Sequence, residues 1–187
     1  MYKVISWHTP DYAGCSERLA ASLEKHGYTN HVEYPMQPVG RWNDNILLKP
    51  QIIKQALVEL DCDIVYLDAD AVVNGPLDLF DRWTGEDFGA HFRMGRELLG
   101  GTLYLSNNPR VWAFLDAVAH AMAVATACGI GGMGASWQRN AQMLLCNLPD
   151  LTVKRIPVEY CTIFDGPDAV GVRSVVTHMQ YSRQVAH

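Results

Sequence analysis

Two aspartates two positions apart, Asp68 and Asp70, stand at the end of the run Asp61-Cys-Asp-Ile-Val-Tyr-Leu-Asp68-Ala-Asp70-Ala-Val-Val. Ile64-Val65-Tyr66-Leu67, just before them, is continuously β-prone, the signature of a strand buried on both faces of a parallel sheet. In an extended chain, residues i and i+2 point the same way. Ligands of open α/β sheets bind beyond the carboxyl ends of the strands. Two carboxylates presented there are costly to leave unpaired. A hard divalent cation removes that cost, and oxygen ligands select Mg²⁺ or Mn²⁺. Such a cation can bridge the oxygens of a diphosphate and stabilise it as a leaving group. The plain alternative is a solvated turn after a strand, which the apolar run in front disfavours.

Other polar residues fall where a nucleotide site would need them. Thr9-Pro10-Asp11-Tyr12 follows the first strand, and a tyrosine there offers a stacking face and a hydroxyl. Leu48-Lys49-Pro50 opens a helix, where a lysine could hold a phosphate as a point charge; Arg41 and Asn45 are weaker candidates nearby. Gly100 and Gly101 read as a turn into a strand and would let a ligand approach the backbone closely. His178 ends the apolar stretch Val175-Val176-Thr177, and imidazole suits Mn²⁺ better than Mg²⁺. It is so far from Asp70 in the chain that only the fold could join them.

Val65-Tyr-Leu-Asp68-Ala-Asp70-Ala-Val-Val, followed by Pro76-Leu-Asp-Leu-Phe80, resembles the metal-binding core of GT-A fold glycosyltransferases, closest to the glycogenin-like retaining group. The resemblance covers most of the chain in the family's order. It implies Asp68, Asp70 and His178 as ligands of Mn²⁺ on the diphosphate of a nucleotide-sugar donor. It implies Thr9 and Tyr12 as contacts to a uracil nucleotide, and Lys49, Gly100, Gly101 and Arg183 as further donor contacts. Two positions depart from the family. Leu99 stands where it has an asparagine near the sugar, and Asn140 stands where it has an aspartate at a helix start. Asn140 and Gln142 could still hydrogen-bond sugar hydroxyls and are the catalytic candidates, although an amide cannot be a base.

Alternating strands and helices must position these residues. Strands are expected at Tyr2–Trp7, His31–Tyr34, Ile64–Leu67, Phe88–Phe92, Thr102–Leu105, Val153–Ile156 and Val172–Val176. Helices are expected at Ser16–His26, after Pro50, at Arg110–Ala127 and at Ser136–Cys146. The fold class that follows is α/β: a single domain over residues 1–187 with a mixed, mostly parallel sheet flanked by helices. The resemblance names it GT-A, a Rossmann-like arrangement. The segment from Gly129 to Gly134, with four glycines, is expected to close over a bound donor.

Composition bounds the partners. With 49% hydrophobic and 19% charged residues, disorder is excluded as the main state. A net charge of −5 argues against a general electrostatic grip on nucleic acid or anionic lipid. No apolar run is long enough for a membrane span. Five cysteines, without metal-like spacing, read as reduced thiols of a cytoplasmic protein. The expected activity is transfer of a sugar from a nucleoside-diphosphate sugar, a UDP-sugar, to a glycan, protein, small-molecule or modified nucleic-acid acceptor. The Arg93-Met-Gly-Arg96 loop could face a phosphorylated acceptor. The alternatives are a non-catalytic nucleotide-sugar binder and a haloacid-dehalogenase-like phosphatase. The phosphatase would use Asp68 as nucleophile and would need a later lysine and an acidic pair, for which only Lys154 and Glu86-Asp87 offer themselves.

Overall fold

A computed structural model describes residues 2–40, 42–130, 136–147 and 150–181. Its strands are β1 (Tyr2–His8), β2 (Val32–Pro35), β3 (Asp63–Leu67), β4 (Ala71–Val73), β5 (Phe88–Arg93), β6 (Glu97–Leu105), β7 (Val153–Arg155), β8 (Thr162–Ile163) and β9 (Val176–His178). Its helices are α1 (Ala13–Lys25), α2 (Trp42–Ile46), α3 (Lys49–Leu60), α4 (Asp78–Asp81), α5 (Pro109–Ala127) and α6 (Trp137–Leu145). The main sheet has the order β2-β1-β3-β6-β5-β7, and only β6 runs against the others. A second sheet, β4-β9-β8, lies beyond the end of β3.

Ile64 to Leu67 are at most 1% exposed, so β3 is covered on both faces. One face, with Ile64, Tyr66, Leu103 and Leu105, packs against the stripes of α3 and α5 and against Trp137 of α6. The other, with Val65, Leu67 and Tyr104, packs against Leu19 and Leu23 of α1 and against Phe80 and Trp83. Local chemistry sets the helix starts. The Asn108 side chain accepts from the N–H groups of Arg110 and Val111, and Pro109 follows it; the Ser136 hydroxyl caps α6.

Two strand boundaries differ from the sequence expectation. Gly100 and Gly101 lie inside β6, which starts at Glu97 instead of Thr102. On β5, Ala90 pairs with Leu103 and the next residue, His91, pairs with Leu99, so Gly100, Gly101 and Thr102 bulge away from that neighbour. The last strand is Val176–His178 rather than Val172–Val176. A strand forms only where a partner backbone is available, and β4 offers Ala71 to Val73 opposite His178 to Val176.

Asp87 ties three elements together at the amino end of β5. It is 1% exposed and accepts from Arg110, Asn108, and the backbone N–H and hydroxyl of Thr152. Burial would raise its pKa, but the Arg110 and Thr152 donors outweigh this and hold it at about 2 against the ordinary 3.8. Because the folded value is depressed, the contribution is present above pH 4 and is lost as pH falls through about 2. Asp87→Asn is expected to lower stability by about 2 kcal/mol near neutrality in urea unfolding. An unchanged midpoint would show that the network contributes nothing.

Candidate metal centre

The end of β3 is shaped by backbone bonds. The Asp68 N–H donates to the Gly101 carbonyl at 2.8 Å, and the Ala71 N–H closes a turn onto the Asp68 carbonyl at 2.9 Å. The chain then returns as β4, whose Ala71 lies opposite His178 of β9. The Met179 N–H donates to the Asp70 carbonyl at 3.2 Å, fixing that register. Asp68, Asp70 and His178 thus converge, with one ligand atom from each lying within 4.8 Å of the others. Their side chains grade from 40% exposed at Asp68 through 13% at Asp70 to 3% at His178, so the group opens to solvent on the Asp68 side.

Each member is held by a different neighbour. Asp68 Oδ1 accepts from the Tyr66 hydroxyl at 2.6 Å and from Lys49 Nζ at 2.9 Å. No hydrogen bond from the described residues reaches its Oδ2. Asp70 Oδ2 accepts from the Tyr181 N–H at 2.9 Å. His178 Nε2 is 2.9 Å from Thr102 Oγ1, while among the described residues its buried Nδ1 has no hydrogen-bond partner and stands 3.8 Å from Asp70 Oδ1. Two carboxylates and an orphaned imidazole nitrogen form a donor set that fits a divalent cation. If Nε2–H donates to Thr102, the lone pair of Nδ1 is free to ligate, the usual arrangement around a metal-binding histidine.

Burial would push the His178 imidazole down, but Asp70, then the Cys161 thiol and the Asp68 carboxylate, reverse this and hold its pKa up to about 10. Asp70 moves the other way: burial would raise it, and His178, the Tyr181 N–H and the Lys49 charge bring it below the ordinary value. A raised histidine stabilises the metal-free protein fully below the unfolded value of 6.5, and that contribution fades as pH rises through about 10. A metal must displace the Nδ1 proton. Mn²⁺ affinity is therefore expected to rise roughly tenfold per pH unit between pH 6 and 8 in calorimetric titrations. A flat profile would remove His178 from the ligand set.

The remaining candidates fall at different distances from this group. Lys49 is buried; its ammonium binds Asp68 and the Gly100 carbonyl (2.6 Å) and lies 4.3 Å from the centre of the Tyr66 ring. A Cβ on Gly100 would stand 2.8 Å from Trp137 Nε1, and one on Gly101 2.7–2.9 Å from three atoms of the His178 ring. Both glycines make room for this chain's own rings. Tyr12 packs edge-on against Tyr181, whose N–H holds Asp70, so the loop after β1 reaches the centre. The Thr9 hydroxyl donates to Asp11, and its carbonyl accepts from the Tyr12 N–H. Asn140 donates to the Ser136 carbonyl of its own helix start, and Gln142 Oε1 accepts from the Leu98 N–H. Neither is part of the acidic group. Asn45 Oδ1 accepts from the Val39 N–H. Arg41, Arg183 and residues 131–134 lie outside the described residues.

Tyr66, Thr102, Tyr181 and Trp137 did not stand out in the sequence. Tyr66 had a signal, since it lies two residues before Asp68 on an extended strand. Thr102 had none, because the bulge that brings it to His178 depends on the pairing of three strands. A groove of about 450 Å³ between α3 and α5 shares no residue with the centre. Lys154 and the pair Glu86-Asp87 lie at the opposite, amino end of β5: Lys154 binds Glu86, and Asp87 is saturated by its own partners. The phosphatase reading therefore lacks its accessory groups at Asp68.

No family model matches the sequence, and no curated protein matches it. Among solved structures, a glycosyltransferase involved in the glycosylation of the major capsid of PBCV-1 aligns with 98% of this chain and 95% of its own, at a TM-score of 0.74 and 16% identity. The chain shares that protein's fold. Its mixed, mostly parallel sheet with helices on both faces accounts for that likeness, and the acidic group lies at the carboxyl rim of the sheet, where ligands of such folds bind. Among the described residues, no helix is long and apolar enough to cross a membrane.

Proposed function

We propose that residues 1–187 form one metal-dependent glycosyltransferase domain of the GT-A type, closest to the glycogenin-like group. It moves a sugar, with retention, from a UDP-sugar to a glycan, protein, small-molecule or modified nucleic-acid acceptor. The observation that carries the reading is the Asp68–Asp70–His178 group at the carboxyl rim of a glycosyltransferase fold. Asp68, Asp70 and His178 would hold Mn²⁺ or Mg²⁺, with the imidazole favouring Mn²⁺. When bound, the cation would neutralise charge on the departing diphosphate.

The chain's own residues do the positioning. Tyr66 and Lys49 fix the Asp68 rotamer, and among the described residues no donor reaches Oδ2. Thr102 sets the His178 ring. Thr9, Tyr12, Lys49, Gly100, Gly101 and Arg183 are assigned to the donor, with the Tyr12–Tyr181 pair offering an aromatic edge for the base. Asn140 and Gln142 are assigned to sugar hydroxyls. Retention follows from the family resemblance: front-face attack assisted by the departing phosphate needs no protein nucleophile, and the amide of Asn140 could not supply one. The five cysteines, all without a disulfide, favour a reducing cytoplasm.

A non-catalytic nucleotide-sugar binder has one observation in its favour, the amide at Asn140 turned onto the Ser136 carbonyl. A screen of UDP-sugars with Mn²⁺, reading both donor hydrolysis and transfer to pooled acceptors, separates the two. Turnover that depends on metal supports the transferase. Tight donor binding without turnover for any donor would establish the binder.

A further inference from the structure

The β5–β6 hairpin and the end of β7 carry positive charge that the metal centre does not use. Strand direction puts that charge on the same rim as Asp68. β5 and β7 run parallel to β3, so Arg93 and Arg155, at their carboxyl ends, emerge where Asp68 does. β6 runs the other way, from Glu97 at the hairpin tip to Thr102 opposite Leu67. Arg93 stands three residues past Ala90, which is level with Leu103, so the tip lies roughly 10 Å beyond the rim at the usual rise, and the bulge at Gly100–Thr102 adds no length.

The tip is built in an unusual way. In the loop Met94–Arg96, Met94 and Gly95 both have positive φ, 50° and 70°, and the Arg96 N–H donates to the Arg93 carbonyl at 3.0 Å, which makes a type I′ turn. Asparagine or glycine is favoured at the first of these positions, yet the residue is a methionine, 83% exposed. Arg155 lies over the Phe92 ring, with its Nη1 3.5 Å from where a Gly95 Cβ would be. Glu97 pairs with Arg93, while the exposed Arg96 and Arg155 have no carboxylate partner among the described residues.

We infer that Arg96 and Arg155 form an acceptor subsite for a phosphate group of a glycan, on the same rim as the metal centre and roughly 10 Å beyond it. The inference rests on the transferase reading and names the chemistry of its acceptor. Arg96 lies in the turn that the Arg155 guanidinium approaches at Gly95, and among the described residues no ion pair competes for either. The net charge of −5 disfavours a nucleic-acid strand, so the phosphate is that of a phosphorylated glycan.

The test uses the full chain with Mn²⁺ and UDP saturating the donor site. Fluorescein-labelled hexathymidylate and a fluorescein-labelled pentasaccharide with one terminal phosphate are titrated separately and followed by anisotropy. The phosphorylated pentasaccharide is expected to bind more tightly, and tighter binding of the hexathymidylate would overturn the assignment to a glycan. In the double variant Arg96→Ser, Arg155→Ser the affinity is expected to fall roughly tenfold or more, while Lys25→Gln on α1 leaves it unchanged. The double variant must keep the thermal shift given by Mn²⁺ with UDP, which shows that it is folded and donor-competent. Failure of both probes to bind, or equal binding by the double variant, overturns the subsite alone. Absence of the Mn²⁺–UDP shift in the unaltered protein overturns the transferase reading and the subsite with it.

Discussion

Asp70→Asn is expected to reduce sugar transfer at least roughly 10³-fold, about 4 kcal/mol of lost stabilisation, while leaving the fold intact. The fold should survive because Asp70 is not a core side chain and an asparagine oxygen can still accept the Tyr181 N–H that now binds Oδ2. The effect on the centre is larger because it is double. One anionic ligand disappears, and so does the carboxylate that holds the His178 imidazole up at about 10. Only Cys161 and Asp68 then oppose burial at His178, and the pH dependence of metal uptake should weaken. Circular dichroism and a transfer assay at several Mn²⁺ concentrations check both halves. Near-normal turnover at saturating metal would show that Asp70 is not a ligand.

Gly101→Ala should damage the same centre from the other side. The new Cβ would stand 2.7–2.9 Å from Cε1, Nδ1 and Nε2 of His178, closer than such atoms approach. The ring cannot simply swing away, since β9 is paired with β4 and the imidazole is 2% exposed. It must tilt and give up its bond to Thr102. A loss of about 2 kcal/mol in stability and roughly 100-fold in Mn²⁺ affinity is expected. Gly14→Ala is the control: it lies in α1 with nothing near its missing Cβ, so alanine there should add up to about 1 kcal/mol through helix propensity. Equal behaviour of the two variants in urea unfolding and metal titration would show that the close approach of Gly101 to His178 has no consequence.

These two variants also mark where the sequence was legible and where it was not. The strand ending in Asp68 and Asp70 could be read directly, because a continuous apolar run followed by i, i+2 carboxylates has few other meanings. The stripe of α5 and its Asn108 cap were equally plain, since 3.6-residue periodicity and capping are local. Gly100 and Gly101 were misread as a turn because a bulge is a property of paired strands: it becomes visible only once Leu103 and Leu99 are set against adjacent residues of β5. The end of β9 moved for the same reason, its register being dictated by β4. The place of Lys49 near the site was legible from its helix start, but its pairing with Asp68 and the Gly100 carbonyl was not, since it depends on how α3 packs on β3 and β6. His178 came from the family resemblance, and the geometry joins it to Asp70 across a second sheet that no local pattern announced.

The most direct test of the central claim is thermal unfolding of the full chain with Mn²⁺ alone, UDP alone and both together. If Asp68, Asp70 and His178 hold a cation that in turn holds a nucleoside diphosphate, each ligand strengthens the other. Both together, at ~100 times the dissociation constant, should add about 2.7 kcal/mol, a rise of roughly 5–10 °C for a chain of this length, and more than the two separate shifts combined. A melting temperature unchanged with both present, or an effect of UDP that is the same with and without Mn²⁺, would contradict the account.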